Sequence, residues 1–331
     1  METIEKVFNL LTETPEYVSG QQIANKLNIS RTAVWKAVSS LKQRGFLIEG
    51  KTRMGYRYLP SMKLNEDEIR RYLDPALDLT FETYEQIEST NDFCKKLALD
   101  SKISKPHIVL SEHQTGGHGR YGRSFFSPKG SGIYLSILLK INNDPIDPGL
   151  LTISSSLAVV KALEKLFRIN CQLKWVNDII VDNRKVAGIL VEGVTDLQSG
   201  AMDHVIIGLG MNYMTDPEIF PDDIRNRAGS LKKYAHRSDV SRNKLIAVFL
   251  NEFFKIYPNY RTGDFMNEYR KRSNIIGKQV SVLVSDQVVS GTVKTIDDKG
   301  RLVLTDGTIL VSGEVTKIRE SMPDNRAWSM E

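Results

Sequence analysis

The sequence predicts a multidomain α+β protein: a helical N-terminal module closed by a β-hairpin, a mixed α/β body and a small all-β C-terminal unit. Three observations carry this. The chain has 331 residues, beyond the roughly 250–300 at which a single core stops growing. Apolar residues recur at helical spacing before residue 45, switch between strand and helix patterns over 81–212, and alternate beyond 275. Charge is uneven: the net is +5, and residues 1–60 hold nine Lys/Arg against five Asp/Glu, leaving 36 against 35 elsewhere. A nucleic-acid-facing N-terminus on a nearly neutral body is the expectation. With 41% hydrophobic and 26% charged residues, global disorder is excluded.

The first helix carries Ile4, Val7, Phe8, Leu10 and Leu11 and ends before Pro15. The next opens on a capping box, Ser19 with Gln22, followed by Ile23, Ala24 and Leu27 on one face. Ser30 caps a third, whose stripe is Val34, Ala37, Val38 and Leu41 and whose stop is Gly45. Arg31, Thr32, Trp35, Lys36 and Ser39 then face outward. FLIEGKTRMGYRYL reads as two short strands about a tip near Arg53, Gly55 and Arg57. This order resembles a winged helix-turn-helix, in which polar groups at the third helix's N-terminus reach base edges and Lys and Arg neutralise phosphates. Ser30, Arg31, Thr32, Trp35, Lys36 and Arg53 are its candidate DNA contacts. A helical module used for protein contacts is the alternative, and Trp35 also suits packing on the hairpin.

In the body, FETYEQIE, HIVLSEHQ, GIYLSILLK, CQLKW, DIIVDN, KVAGILVEG and HVIIGLGMNY read as strands. NDFCKKLAL and LLTISSSLAVVKALEKLF read as helices, with two more at about 242–257 and 264–274. Between two of the strands lies TGGHGRYGRSFFSPKGSG, with six Gly, three basic residues besides His118 and no acidic one. Glycine permits close backbone approach, so an anion-binding loop with Arg120 and Arg123 is one reading and a mobile surface loop the other. It matches neither a P-loop nor a GxGxxG turn. LKWVNDIIV groups Lys174, Asn177 and Asp178, and Lys185 precedes an Ala-Gly pair, suggesting a cation held against a close ligand.

Two cysteines, Cys94 and Cys171, offer neither a disulfide framework nor metal-ligand spacing. No protein-bound metal is expected, and the usage suits a reducing cytoplasm. No run approaches a membrane span and the N-terminus lacks the layout of a signal peptide, so a cytoplasmic location without membrane association is expected.

Taken together, ESTN, QTGGHGRYGR, KWVND, RKVAGILVE and GLGMN, in that order, resemble the bacterial biotin protein ligases. The N-terminal module resembles the DNA-binding domain of the bifunctional subgroup, which also represses biotin-synthesis genes. IIGKQVSVLVSDQVVSGTVKTIDDKGRLVLTDGTILVSGEV resembles the family's small C-terminal β-barrel. The implied division is 1–62 winged helix-turn-helix, 63–274 catalytic domain with a class II synthetase-like fold, 275–320 β-barrel and 321–331 an unstructured tail. Two departures stand out: His118 replaces the first Arg of the usual GRGRxGR loop, and Val176 replaces Pro in KWPND. Since His titrates near neutrality, the first can loosen closure over the ligand or make it pH-sensitive.

The resemblance implies two half-reactions: biotin and MgATP give biotinoyl-adenylate and pyrophosphate, then a lysine of a biotin carboxyl carrier protein domain takes the biotin. It assigns catalysis to Lys185, Arg120 and Asp178. Biotin binding falls to Ser89, Thr90, Asn91, Gln114, His118, Gly119, Arg120, Lys185 and Gly188. ATP binding falls to Arg120, Arg123, Lys174, Asn177, Lys185 and Asn212. It further implies a homodimer when the adenylate is bound, and operator DNA as a partner. A lipoate-type ligase and a ligand-sensing transcription factor with weak or lost ligase activity are the competing functions.

Overall fold

The computed structural model describes residues 3–59, 61, 63–99, 103–141, 145–195, 202–238 and 240–319. The segment SMPDNRAWSME, expected to be unstructured, lies outside the described residues. Helices α1 (Thr3–Glu13), α2 (Gly20–Leu27) and α3 (Arg31–Gln43) precede the hairpin β1 (Leu47–Lys51) and β2 (Gly55–Leu59). Ser19 and Gln22 close the capping box, and Ser30 Oγ accepts the Ala33 N–H. Each such cap is worth about 1 kcal/mol. Val7, Leu11, Ile23, Val34 and Leu41 close a core of their own. At the hairpin Gly55 has φ +109° and a Cβ there would stand 2.1 Å from the Val18 carbonyl oxygen, so only glycine fits.

A short helix, α4 (Glu66–Tyr72), follows, then β3 (Thr80–Tyr84), α5 (Thr90–Leu97), β4 (His107–Ser111), β5 (Ile133–Lys140) and the long α6 (Pro148–Phe167). Four strands come next: β6 (Gln172–Lys174), β7 (Asp178–Val181), β8 (Arg184–Thr195) and β9 (Met202–Met211). Helices α7 (Asp222–Arg225), α8 (Lys232–Ser238), α9 (Arg242–Ile256) and α10 (Met266–Arg272) complete the body. Sequence periodicity misses α4, α7 and α8. All three are one or two turns long, too short for a repeating apolar stripe, and α4 buries Glu68 beside Ile69.

The seven strands form one sheet in the order β3-β4-β5-β9-β8-β7-β6. Only β3 and β4 run parallel, because α5 carries the chain back between them. One face, with Leu110, Leu135, Leu209 and Ile189, is buried under α6 and α9. The other face carries the polar residues considered next. Among the described residues no helix is long and apolar enough to cross a membrane.

Strands β10 (Gln279–Val284), β11 (Gln287–Ile296), β12 (Leu302–Leu304), β13 (Ile309–Leu310) and β14 (Glu314–Arg319) make a five-stranded antiparallel sheet ordered β13-β12-β11-β10-β14. Trp175 Nε1 donates to the Gly300 carbonyl at 2.9 Å and Arg270 to that of Ile296 at 3.0 Å, fastening this sheet to the body.

Candidate functional site

Directly paired residues on neighbouring strands point to the same face. The register therefore places Lys174, Asp178, Gly188, Gly210 and Tyr134 in one row across β6, β7, β8, β9 and β5. Beside it runs Ser136, Gly208 and Leu190, and beyond that Leu138, Ile206 and Glu192. Three glycines form the floor of this face. A Cβ on Gly208 would meet Asn91 Oδ1 at 2.3 Å, one on Gly210 the Phe125 ring at 2.7 Å, and one on Gly188 the Lys185 Nζ at 3.0 Å.

At one end, α5 stands with its N-terminus on the sheet. Ser89 is its N-cap and accepts the Asp92 N–H, which leaves Thr90 and Asn91 buried against the strands. Gln114 Oε1 accepts the Thr90 N–H at 2.8 Å, with Thr90 Oγ1 3.1 Å away, and Gln114 Nε2 donates to Ser127 Oγ. The Ser136 hydroxyl touches both Thr90 Oγ1 (2.7 Å) and Asn91 Oδ1 (2.5 Å). Asn91 Nδ2 donates to Glu192 Oε2 at 2.7 Å. Gly117 lies so close to this group that a Cβ would stand 2.7 Å from Ser127 Oγ. One residue on, His118 brings Nδ1 within 3.7 Å of Asp92 and Nε2 within 3.9 Å of Glu192, while Lys95 bridges both carboxylates at 2.9 Å.

At the other end, Lys185 lies across Gly188 with its ammonium 2.5 Å from Asp178 Oδ1. A β-bulge between β7 and β8 beside Val186 sets that direction. The Lys185 N–H donates to the Arg227 carbonyl and the Gly229 N–H to that of Lys185, so a later loop runs alongside. Burial holds the Lys174 amine below its ordinary range; Lys185 and Arg227 push the same way, and Asp178 and Glu314 oppose them. Such crowding of cations on a half-covered surface suits an anionic ligand.

Several candidates have other partners in the structure. Asn177 spends its amide on the Ile189 carbonyl, and Asn212 is buried with its Nδ2 on that of Gly229, so both brace the loops. Arg120 donates to the Gly313 carbonyl at 3.0 Å, and Arg123 pairs with Glu314, both at the start of β14. The two arginines thus meet the C-terminal sheet, and Glu314, the partner of Arg123, also acts on Lys174 of the cation group. Gly119 hydrogen-bonds the Arg123 carbonyl and closes the loop's tip. Sequence reading passed over Ser127, Ser136, Glu192, Arg227 and Glu314. A serine inside the apolar run IYLSILLK and a glutamate ending GILVE were the available signals for two of them.

On the N-terminal module, Arg31, Thr32, Trp35 and Lys36 project from the exposed side of α3, Trp35 being 60% exposed, and Arg53 occupies the hairpin tip at φ +67°. The Ser30 hydroxyl is engaged as the helix cap.

The Biotin/lipoate A/B protein ligase family model matches residues 83–212, an HTH domain model 3–57, and the Biotin protein ligase C terminal domain model 275–317. The Bifunctional ligase/repressor BirA of Bacillus subtilis (strain 168) is 31% identical over 293 residues, covering 87% of this chain and 89% of the relative. The chain belongs to the bifunctional ligase/repressor BirA family. The member of that name from Escherichia coli (strain K12) is 27% identical over 311 residues, 91% of this chain and 93% of its own. The fold is also that of a biotin protein ligase from Aquifex aeolicus solved in complex with biotin and ATP. That structure has a TM-score of 0.59 and 24% identity, over 73% of this chain and 99% of the other. The three matched segments fall in turn on the helical module, the seven-stranded sheet and the five-stranded sheet.

Proposed function

We propose that this protein is a biotin protein ligase that activates biotin with ATP and transfers it to a protein lysine, and a biotin-responsive repressor that binds operator DNA through α3 and the hairpin. The observation that carries the ligase reading is the glycine-floored sheet face. A neutral, donor-and-acceptor pocket of Ser89, Thr90, Asn91 and Gln114 stands at one end and the cations Lys185 and Lys174 at the other. A ligand with a polar neutral head and an anionic tail fits such a surface lengthwise, and biotin has a ureido head and a carboxylate.

In the first half-reaction a biotin carboxylate oxygen attacks the α-phosphorus, the bond to the bridging oxygen breaks and pyrophosphate leaves. Two anions must approach, so fixed cations have to lie where charge gathers. Lys185 takes the carboxylate and the bridging oxygen, and Lys174 and Arg227 face the phosphates. Arg120 and Arg123 join when they exchange Gly313 and Glu314 for the nucleotide. Among the described residues no group of three His, Cys, Asp or Glu side chains can hold a metal, and Mg²⁺ enters with ATP as part of the substrate. In the second half-reaction a neutral amine attacks the acyl carbon and AMP leaves. An unperturbed lysine is uncharged about one time in 10³ at pH 7, so a base at the amine helps, and Asp178 is the carboxylate at hand.

The acceptor in this reading is a biotin carboxyl carrier protein domain, and the location the cytoplasm. A homodimer formed with the adenylate bound belongs to it too: among the described residues β8 has no strand partner on its β7 side beyond Ile189. The test is biotin-dependent pyrophosphate release, absent with lipoate, with the retained adenylate weighed by mass spectrometry. Release driven equally by lipoate would overturn the substrate, and operator binding indifferent to biotin and ATP the repressor.

A further inference from the structure

The hydrogen bonds around Asn91 have a direction, and a residue outside the pocket imposes it. Glu192 Oε2 accepts from Asn91 Nδ2 at 2.7 Å while its other oxygen meets Lys95 at 2.9 Å. An ionised carboxylate only accepts, so the Asn91 amide cannot turn over without setting oxygen against oxygen. Nor can it leave, since it is 4% exposed and wedged on Gly208. Its Oδ1 must therefore accept from Ser136 at 2.5 Å. Ser136 has one proton, spent there, so the Thr90 hydroxyl is the donor left between Ser136 Oγ at 2.7 Å and Gln114 Oε1 at 3.1 Å, both of which accept. Gln114 Oε1 then receives the Thr90 N–H, leaving Gln114 Nε2 to donate to Ser127, whose own proton goes to the Phe125 carbonyl at 2.9 Å.

We propose that Glu192 is a positioning residue: it locks Asn91 and so fixes which atoms of Thr90, Ser136 and Gln114 donate and which accept toward the ligand. This rests on reading the pocket as the biotin site. A ureido group presents both donors and an acceptor, so one reversed partner leaves a buried polar group unpaired, a mismatch costing about 1–3 kcal/mol, or roughly five- to 150-fold in affinity.

The experiment is steady-state pyrophosphate release by the full chain, varying biotin and ATP separately, for wild type, Glu192→Gln, Asn91→Asp and the double exchange. Glu192→Gln keeps the shape but frees the amide to flip; KM for biotin should rise about ten-fold or more, with kcat and KM for ATP far less affected. Asn91→Asp sets one carboxylate against that of Glu192 and should be worse. The double exchange restores both a donor to a carboxylate and an acceptor toward Ser136, so KM for biotin should return to within about three-fold of wild type, a coupling that a purely structural role does not give. An unchanged KM for biotin in Glu192→Gln overturns the proposal even if the double exchange folds poorly. So does a well-folded double exchange no better than Asn91→Asp. Should wild type release no pyrophosphate with biotin, the reading of the pocket fails instead.

Discussion

Lys185 owes its position to what is missing beneath it. Gly188 has no side chain, so the lysine lies flat across β8 and meets Asp178 at 2.5 Å. In the proposed reaction this ammonium is the charge nearest both the carboxylate and the bridging oxygen. Lys185→Ala should lower biotin-dependent pyrophosphate release by on the order of 10²–10³, by analogy with the loss of one oxyanion donor. Retained adenylation would remove Lys185 from the chemistry. Gly188→Ala tests the floor itself. Its Cβ would stand 3.0 Å from Nζ and Cε of a flexible side chain, so a smaller loss is expected, read in the same assay, without a change in melting temperature.

Among the elements, α4 is the joint between the helical module and the body. Asn65 caps it, accepting the Glu68 N–H, and donates its amide to the Arg44 carbonyl at the end of α3. Glu68 is buried beneath Ser241 and Asn243 of the α9 N-terminus, and Arg242 next to them pairs with Glu112 inside the body. Burial raises the Glu68 carboxyl above its ordinary range, and hydrogen bonds from Ser241, Asn243 and Tyr58 offset only part of that. The folded value exceeds the unfolded one, so Glu68's favourable contribution is complete below about 4.5 and is lost as pH rises through the raised value. Glu68→Gln removes this titration, so the difference in melting temperature should move in the variant's favour as pH rises through the raised value; a difference that does not change with pH would show that Glu68 does not titrate with folding. Helix α3 and the hairpin carry a second expectation at this scale. If Arg31, Lys36 and Arg53 contact phosphates, each change to Ala should weaken operator binding and reduce the slope of log K against log salt by roughly one. A variant with unchanged slope is not a phosphate contact.

Across the whole molecule, what could be read from sequence was local. Ser19, Ser30 and Gly45 mark α2 and α3 because caps and stops act within four residues, and the apolar runs of β5 and β9 identify themselves. Nothing local says that β9 lies between β5 and β8, so the glycine floor, which joins Gly188 to Gly208 and Gly210, appeared only with the register. For the same reason Glu192 and Arg227 went unread, and Arg120 and Arg123, expected at phosphates, lie against β14. Core continuity leads to the last prediction. Val7, Val34 and Leu41 belong to a core that shares no residue with that of the sheet. Val280, Val293, Ile296 and Leu302 of the C-terminal sheet, by contrast, belong to one cluster with Leu151, Leu173 and Trp175 of the body. A chain beginning at Lys63 should therefore keep biotin-dependent pyrophosphate release while losing DNA binding. A chain ending at Asn274 should lose most of that release although Lys185, Asp178 and Lys174 remain. It gives up the Trp175–Gly300 bond and exposes the apolar surface of Leu151, Leu173 and Trp175 that the C-terminal sheet covers. Measuring release and melting temperature on both shortened chains decides it: if the chain ending at Asn274 is the more active and the more stable, the shared core does not govern the site.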